Sequence, residues 1–293
     1  MNIKLISFDS MGLRSMATFI ETYEGGIFID PGSALAPTRY GLPPHESELK
    51  LLARKLDLIY RLMKEADYIV LTHYHRDHYL YRRGEEDHYS KKVIYAKNPY
   101  LKTNYNQRVR AYTLFKKMGV ENLAKKIVYA DNLETKIGSM KLVFSSPLPH
   151  GECKTRLGSV IALFITNRDQ SLLFASDTQG FICEDALKFA KKHLWNTLIV
   201  SGPPTYLKSN TNPEEILGNL LEALNTRKNN DVIAIVDHHL LRDKDYLVYF
   251  DYLRKNSSAR VMTAAEFMNQ PIKQLEAYRD KLWQKARVEK NSI

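Results

Sequence analysis

The chain has 293 residues, 44% of them hydrophobic, which is enough to bury a large core. No apolar run approaches the roughly 18 residues that cross a membrane, and the first residues lack a signal-peptide core, so we expect a cytoplasmic protein with no membrane partner. Lysine and arginine outnumber aspartate and glutamate by 43 to 33, and the formal charge of +10 favours anionic partners. Because no linker or repeat divides the chain, we predict a single domain over residues 1–293.

The N-terminal part of the chain predicts three strands and one helix. The strands cover Ile3–Phe8, Met16–Thr22 and Ile27–Asp30, and a glycine turn joins the last two. A loop over residues 31–45 follows. In Glu46–Ala66, apolar residues recur at steps of three and four, which is the pattern of an amphipathic helix that covers a sheet.

A short apolar strand, Tyr68–Leu71, runs into a loop that holds three histidines and a carboxylate: His73, His75, Asp77 and His78. Imidazole is the commonest ligand for zinc-like ions, and two histidines two residues apart on an extended chain can face one ion. Four ligand-type side chains within six residues exceed what one tetrahedral ion needs if other ligands arrive from elsewhere, so the loop suggests two adjacent ions. A polar loop of solvated histidines is the alternative, but it does not explain such a cluster beside an apolar strand.

Further strands are predicted at Lys92–Ala96, Ile127–Ala130 and Met140–Ser145. Between the first two, Asn104–Met118 predicts a basic helix that ends at Gly119. The charges of this helix would suit phosphate groups, although a solvated helix face explains them equally well.

The two cysteines, Cys153 and Cys183, are too few for a disulfide scaffold and are consistent with a reducing compartment. Cys153 lies three residues after His150 and could therefore ligate a metal. We predict a buried free thiol at both positions instead.

Ligand-type side chains recur where later strands stop. A hairpin of Ser159–Thr166 and Ser171–Ser176 delivers Asp177 at its end. Two more positions follow predicted strands in the same way: His150 after Met140–Ser145, and His238 or His239 after Asp231–Val236. The remaining elements alternate between helices and strands: Glu184–Leu194, Thr197–Ser201, a helix starting at Asn212-Pro213, Lys244–Lys255 and Arg260–Met262. This alternation predicts the α/β class with mixed sheets.

The run His73-Tyr74-His75-Arg76-Asp77-His78 resembles the His-x-His-x-Asp-His signature of the metallo-β-lactamase superfamily. The resemblance extends along the chain to Asp30 at the end of an early strand, His150 in Pro149-His150-Gly151, Asp177 in Ser176-Asp177-Thr178, and His238 or His239. The finer pattern is similar to an uncharacterised archaeal branch, from which no substrate can be carried over.

The resemblance implies a four-layer αββα sandwich with two mixed β-sheets and metals at one edge between the sheets. It also implies two divalent ions, with zinc expected and manganese or iron accepted by the same donors. One ion would be held by His73, His75 and His150, the other by Asp77, His78 and His238, with Asp177 bridging them and Asp30 supporting the loop. Such a pair lowers the pKa of bound water towards about 7, so a dinuclear metallohydrolase is implied, with Asp77 and Asp177 at the catalytic centre.

The substrate expected for such a site is a small anionic compound, such as a phosphoester or a lactone. Candidate anion contacts are Arg39, Arg82, Lys154 and Arg156, although solvent-exposed charge is an equally good account of all four. A nuclease of the same superfamily is the main alternative, because the chain is basic and nucleic acid could be a partner. The gap of 61 residues between Asp177 and His238 excludes the domain that one nuclease branch inserts there.

A third interpretation is a structural zinc or nucleic-acid-binding module on a degenerate fold of this kind. It is disfavoured because every ligand motif is filled, and structural sites close their coordination rather than bring extra carboxylates and histidines to a cleft.

Overall fold

A computed structural model describes residues 1–207, 212–226 and 232–291. Within them, two large mixed sheets face each other. The first sheet has six strands whose spatial order follows the sequence: β1 (Asn2–Phe8), β2 (Met16–Thr22), β3 (Gly25–Ile29), β4 (Ala66–Leu71), β5 (Val93–Ala96) and β6 (Lys126–Tyr129). Strands β1 to β3 pair antiparallel, and β3 to β6 pair parallel.

The second sheet has seven strands in the order β15-β14-β13-β12-β11-β8-β7. These are β7 (Glu134–Ile137), β8 (Met140–Phe144), β11 (Leu163–Thr166), β12 (Ser171–Phe174), β13 (Thr197–Ser201), β14 (Ile233–Asp237) and β15 (Arg260–Met262). A separate two-stranded ribbon pairs β9 (Leu148–Pro149) with β10 (Ser159–Val160). From β12 to β15 the pairing is parallel, so the carboxyl ends of these strands lie at one edge.

In the described part of the chain, eight α-helices lie outside the sheets: α1 (Glu46–Glu65), α2 (Tyr105–Tyr112), α3 (Val120–Leu123), α4 (Glu184–Lys192), α5 (Pro213–Asn225), α6 (Tyr246–Asn256), α7 (Ala264–Phe267) and α8 (Arg279–Asn291). Three helices begin with a side chain that accepts a hydrogen bond from a backbone N–H group of the first turn: His45 for α1, Asn104 for α2 and Asn212 for α5. None of the described helices is both long and apolar enough to span a membrane.

Three apolar layers separate the four layers of secondary structure. Helix α1 packs Ile59 and Met63 against one face of the first sheet. The middle layer joins the two sheets, and the layer beyond the second sheet packs against α4, α5 and α6. Strand β12 shows the period of two that this requires, since Leu172 and Phe174 enter the middle layer and Leu173 the outer one. The predicted sandwich of helices and two mixed sheets is confirmed.

Some sequence-based assignments differ from the structure by more than a shift of a boundary. Ser159–Thr166, predicted as one strand, divides into β10 and β11, which belong to different sheets. Strand β7 was not predicted because its residues, Glu134–Ile137, are mostly polar and it lies at a sheet edge. The predicted helix Asn104–Met118 is α2 followed by a π-helical turn over Thr113–Lys117. The predicted strand Asp231–Val236 begins at a residue outside the described ranges.

The prediction of two free thiols was wrong. Cys153 and Cys183 form a disulfide with a Cα–Cα distance of 4.9 Å. The bond joins the exposed loop after His150 to the residue that precedes α4. Spacing alone could not show this, because the two cysteines are 30 residues apart and only the packing of the ribbon against α4 brings them together.

Replacing Cys153 or Cys183 with serine is expected to lower the free energy of unfolding by about 3–4 kcal/mol. The two cysteines are 30 residues apart in sequence, so the bond restricts the unfolded chain. Without the bond, the conformational entropy of the unfolded state rises and the folded state is less stable. Urea unfolding with and without dithiothreitol checks this, with thiol titration to confirm the redox state. Reduced wild-type protein should match both variants, and a wild-type midpoint that does not respond to reduction would contradict the prediction.

Candidate metal centre

The residues predicted as ligands lie at one edge of the molecule, where strands from both sheets end. Asp30 follows β3, His73 follows β4 by two residues, Asp177 lies just beyond β12, and His238 follows β14. Because the carboxyl ends of parallel strands share an edge, the short loops beyond them meet. The backbone turns sharply at these points. Asp30, Ser176 and His238 have φ values of 47°, 24° and 60°, a left-handed conformation that costs about 1–3 kcal/mol per residue and concentrates at functional sites.

Gly32 permits the close approach of two loops at this edge. A Cβ atom at this position would lie 2.1 Å from the backbone nitrogen of Tyr79 and 2.5 Å from the carbonyl carbon of His78. Any larger residue would therefore push the loop that carries Asp30 away from the loop that carries the histidines.

A first group of donors consists of His73, His75, His150 and Asp177, whose ligand atoms all lie within 4.8 Å of one another. His150 Nε2 lies 2.8 Å from Asp177 Oδ2 and 3.1 Å from His75 Nδ1. His73 Nε2 lies 3.5 Å from the same Asp177 oxygen. His73, His150 and Asp177 are buried, whereas His75 is half-buried at the floor of a cleft.

A second group consists of Asp77, His78 and His238, again with ligand atoms within 4.8 Å of one another. His238 Nε2 lies 3.7 Å from Asp77 Oδ2, and His78 Nε2 lies 4.0 Å from Asp77 Oδ1. Asp177 faces this group as well, at 3.5 Å from the Nε2 atoms of both His78 and His238. It therefore lies between the two groups.

The donor atoms of these groups fit divalent metal. Within the described residues, His73 Nε2, His78 Nε2 and Asp177 Oδ1 are buried and have no hydrogen-bond partner. A buried polar atom without a partner costs free energy, and a bound cation would satisfy all three. Imidazole and carboxylate donors without a thiolate suit zinc, iron or manganese.

His238 and His239 hold different positions. The Nε2 atom of His238 faces Asp77 and Asp177, whereas that of His239, which lines the cleft, lies 3.8 Å from Asp177 Oδ2. His238 belongs to two groups of donor atoms that could hold an ion, one with Asp77 and His78 and one with Asp177 and His239. His239 belongs only to the latter group. The geometry thus favours His238 over His239 as a member of the second group.

The pKa values of His73 and His238 shift in opposite directions, and the pKa of Asp177 is lowered. Burial and the neighbouring charge of His78 lower the pKa of His73 to about 4. Burial and Arg242 oppose the charged form of His238, but the carboxylates of Asp177 and Asp9 outweigh them and raise its pKa to about 10. Burial opposes ionisation of Asp177 too, yet His78, His238 and the other facing histidines hold its pKa well below the usual value. Asp177 is therefore an anionic donor at neutral pH.

Each of two histidines is fixed by a carboxylate on its other ring nitrogen. Asp30 Oδ2 lies 2.9 Å from His78 Nδ1 and also accepts the Thr72 hydroxyl at 2.6 Å. Asp9 Oδ2 lies 2.6 Å from His238 Nδ1, while Asp9 Oδ1 accepts Arg242 Nε at 2.7 Å. These contacts place a proton on Nδ1 of each ring. His78 Nε2 has no hydrogen-bond partner among the described residues, whereas Arg242 Nη2 lies 3.1 Å from His238 Nε2.

Asp9 and Arg242 were missed at the sequence level. The signal for Asp9 was available, because it follows the predicted strand Ile3–Phe8 directly, as Asp30 follows its own strand. Nothing in the sequence connects Asp9 to His238, which lies 229 residues away.

Replacing Asp9 with asparagine is expected to lower the affinity for metal at the second group by about 10–100-fold. The carboxylate has one oxygen for His238 and one for Arg242, and an asparagine would turn its NH₂ group towards one of these donors. Titration of metal-free protein with zinc in competition with a chromogenic chelator measures the change. Asp169→Asn, in an exposed hairpin turn, is the matched control, and equal affinities for the two variants would argue against a role for Asp9.

The two groups lie at the floor of a cleft of about 520 Å³, whose walls carry four arginines: Arg14, Arg76, Arg110 and Arg242. Arg14 is paired with Glu276 and Arg242 with Asp9. Among the described residues, no carboxylate pairs with Arg76 or Arg110. Arg76 lies over the ring of Tyr81, and Arg110 donates to the backbone oxygen of Tyr74 at 3.3 Å.

The four anion contacts predicted from the sequence lie elsewhere, and none is among the residues that line this cleft. Arg39 donates to the backbone oxygen of Arg242, and Arg82 pairs with Glu85. Lys154 and Arg156 are exposed on the loop after His150. His150 and Leu157 both line the cleft, and the chain between them leaves Lys154 and Arg156 exposed outside it.

A family model described as the metallo-beta-lactamase superfamily matches residues 11–232. The chain belongs to this superfamily. The match ends before His238 and His239, so their placement in a metallo-beta-lactamase site depends on the geometry given above.

The chain is similar along nearly its whole length to archaeal proteins named UPF0282. The UPF0282 protein of Sulfurisphaera tokodaii is 38% identical over 292 residues, covering 97% of this chain and 94% of the relative. The UPF0282 protein of Metallosphaera sedula is 38% identical over 291 residues, covering 97% and 93%. The predicted resemblance to an archaeal branch of the superfamily is confirmed.

Solved structures of metallo-beta-lactamase fold proteins share the architecture. YhfI from Bacillus subtilis has a TM-score of 0.54 at 13% identity, covering 89% of this chain and 94% of that chain. Unliganded yeast PDE1 has a TM-score of 0.52 at 14% identity, covering 89% and 97%. At such low identity these likenesses show the fold alone.

Proposed function

We propose that this protein is a metal-dependent hydrolase that binds two divalent metal ions and acts on a small anionic substrate, such as a phosphoester or a lactone. The observation that carries the proposal is the convergence of buried, unpartnered imidazole and carboxylate donors on Asp177 at the floor of an arginine-lined cleft. Yeast PDE1 and an isothiocyanate hydrolase from Delia radicum gut bacteria share this fold, which is compatible with a hydrolase.

In this proposal His73, His75 and His150 hold one ion, Asp77, His78 and His238 hold the other, and Asp177 contacts both. Zinc is the proposed metal. Divalent ions would supply Lewis-acid chemistry, polarising a substrate oxygen and acidifying water at neutral pH. The protein contributes the remaining functions: Asp30 and Asp9 hold protons on His78 Nδ1 and His238 Nδ1, and the ionised Asp177 supplies negative charge in a buried setting.

The arginines of the cleft favour a negatively charged substrate. Arg76 and Arg110 have no carboxylate partner among the described residues, and they lie on the wall next to His75 and Asp77. A guanidinium group offers planar, paired donors that match a phosphate or a carboxylate. They would orient an anionic group with its reacting atom over the two donor groups.

Elemental analysis of the purified protein, combined with assays on phosphodiester, phosphomonoester, lactone and thioester panels, tests the proposal. We expect about two divalent ions per chain and hydrolysis of at least one anionic class, lost on chelation and restored by metal. A protein that holds its metals and hydrolyses no compound of these panels would count against the enzyme and favour a structural metal site.

Replacing Arg76 or Arg110 with alanine is expected to lower kcat/KM for an anionic substrate by about 10–100-fold, the worth of one hydrogen bond to a charged group. Lys154→Ala and Arg156→Ala are the matched controls, because they remove charge from the neighbouring loop outside the cleft. Steady-state kinetics at fixed ionic strength measure all four. Equal losses in the two pairs would show that the cleft arginines have no special role.

The alternative function is a nuclease of the same superfamily. One observation favours it: Arg110 reaches the cleft from α2, a helix in a strongly basic segment of the chain. A phosphodiester of a nucleic acid would then be the anionic group in the cleft. Cleavage of a labelled oligonucleotide by wild-type protein, absent in the chelated protein, would favour this function over a small substrate.

A further inference from the structure

Most of the net charge of the chain arises in one segment beside the cleft. Residues 97–130 contain eight lysines and arginines and one acidic residue, Glu121. The same segment carries four exposed tyrosines, Tyr100, Tyr105, Tyr112 and Tyr129. Clusters of exposed aromatic side chains mark interaction sites in soluble proteins.

The tyrosines and two basic residues form one surface. On α2, Tyr105, Arg108 and Tyr112 recur at steps of three and four and face solvent, while Gln107 and Ala111 between them are buried. Tyr100, Tyr112 and Tyr129 together line a cavity of about 370 Å³ on the outer side of this helix. We call this the tyrosine surface and define it as Tyr100, Lys102, Tyr105, Arg108, Tyr112 and Tyr129.

The tyrosine surface has binding groups without internal partners. Lys102 and Arg108 are exposed, and no carboxylate of the described residues pairs with either. Among the described residues, no other aromatic ring stacks on Tyr100, Tyr105 or Tyr129. Planar faces and positive charges are thus both open to solvent on the same side of the molecule.

Helix α2 connects this surface to the metal centre. Arg110, on the same helix, lines the cleft. The side chains of Asn104 and Gln107 donate to the backbone oxygens of Arg156 and Leu157, at 2.9 and 2.8 Å. Leu157 also lines the cleft, so a ligand on the tyrosine surface lies within one helix width of it.

We propose that the tyrosine surface binds single-stranded nucleic acid. Unpaired bases stack on exposed aromatic rings, and basic side chains between the rings neutralise the phosphates. A duplex hides its base faces, so it would leave the tyrosines unused. An acidic protein segment would match the charge but would offer no flat partner for the rings. The inference goes beyond the proposed hydrolysis, because binding to this surface requires neither metal nor turnover.

Fluorescence anisotropy with labelled oligonucleotides of about 12 nucleotides, a length within the usual site size, tests the proposal. Single-stranded RNA, single-stranded DNA and a duplex are titrated with wild-type protein and with His73→Ala. We expect either single strand to bind more tightly than the duplex and His73→Ala to bind as wild type does. The comparison of RNA with DNA identifies which single strand is preferred.

Two pairs of variants with matched controls locate the site. Tyr105→Ala/Tyr112→Ala should weaken binding at least tenfold, since losing one stacked base costs about five- to hundredfold, and the corresponding phenylalanine pair should bind as wild type does. Tyr23→Ala, an exposed tyrosine remote from α2, is the control. Lys102→Gln/Arg108→Gln should reduce the slope of log affinity against log salt by about 1.4, at about 0.7 per phosphate contact. Arg54→Gln/Arg61→Gln, on the exposed face of α1, should leave the slope unchanged.

Several results would overturn the proposal: no single-strand binding at low salt, duplex binding as tight as single-strand binding, or equal losses in the variants and their controls. Tyrosine-dependent binding of a polyglutamate peptide without binding of oligonucleotides would assign the surface to an acidic protein instead. Because binding is also measured in His73→Ala, which is expected to lack turnover, a failure of the hydrolase proposal would not affect the result.

Discussion

Replacing Asp177 with alanine is expected to leave about one metal ion per chain or fewer and to reduce kcat by about 10³-fold or more. Asp177 lies within 3.5 Å of the Nε2 atoms of His73, His78 and His238, so its carboxylate faces both donor groups. In two-metal sites the cations lie about 3.5–4 Å apart, and a negative charge between them offsets their repulsion. Without it the more weakly held ion should leave, and several kcal/mol of transition-state stabilisation leave with it.

The fold should survive this change. Strand β12 ends before Asp177 and packs through Leu172, Leu173 and Phe174, which are fully buried. Asp177→Asn is the matched variant, because it keeps the shape of the side chain and removes only the charge. Elemental analysis, circular dichroism and steady-state kinetics on both variants check the prediction. Two ions and near-normal turnover in Asp177→Ala would refute the dinuclear mechanism.

Replacing His73 with alanine is expected to remove about one metal ion per chain and to reduce kcat by a similar factor of about 10³. The His73 ring is fully buried, and its Nε2 atom has no hydrogen-bond partner among the described residues. The ring contacts the rings of His75, His78 and His150. Removing it leaves the first group with only two imidazole donors and a carboxylate that also faces the second group, which weakens metal binding.

His88→Ala is the control for this variant. His88 stacks on Tyr60 at 4.6 Å between ring centroids and belongs to neither donor group. Its replacement should change neither the metal content nor the turnover. If His73→Ala retained the wild-type metal content and turnover, the assignment of the first group would be wrong.

Much of the site could be predicted because its signals are local. An apolar strand that ends in a ligand-type side chain needs only a few residues to be recognised, as at Tyr68–Leu71 followed by His73 and His75. Asp30, at the end of another strand, was singled out by the resemblance to the superfamily. The amphipathic helix over Glu46–Ala66 could be predicted for the same reason, because burial of one helix face spaces the apolar residues three and four positions apart in the sequence.

Contacts between distant segments could not be predicted. Arg76 and Arg110 line the cleft, whereas Lys154 and Arg156 do not. Whether a basic side chain faces the cleft depends on how its segment packs against the others, and not on its distance in sequence from a ligand. The pairing of Asp9 with His238 spans 229 residues and joins the ends of strands in different sheets.

By itself, the sequence determined the order of strands and helices, the ligand-type residues beyond the strands and the family to which they point, because each depends on neighbouring residues. The tertiary structure alone decided which of His238 and His239 faces Asp77, that Cys153 and Cys183 are bonded, and that Arg110 of α2 lines the cleft. These features depend on distances between elements, and such distances are fixed only when the apolar layers pack and bring the strand ends of two sheets to one edge.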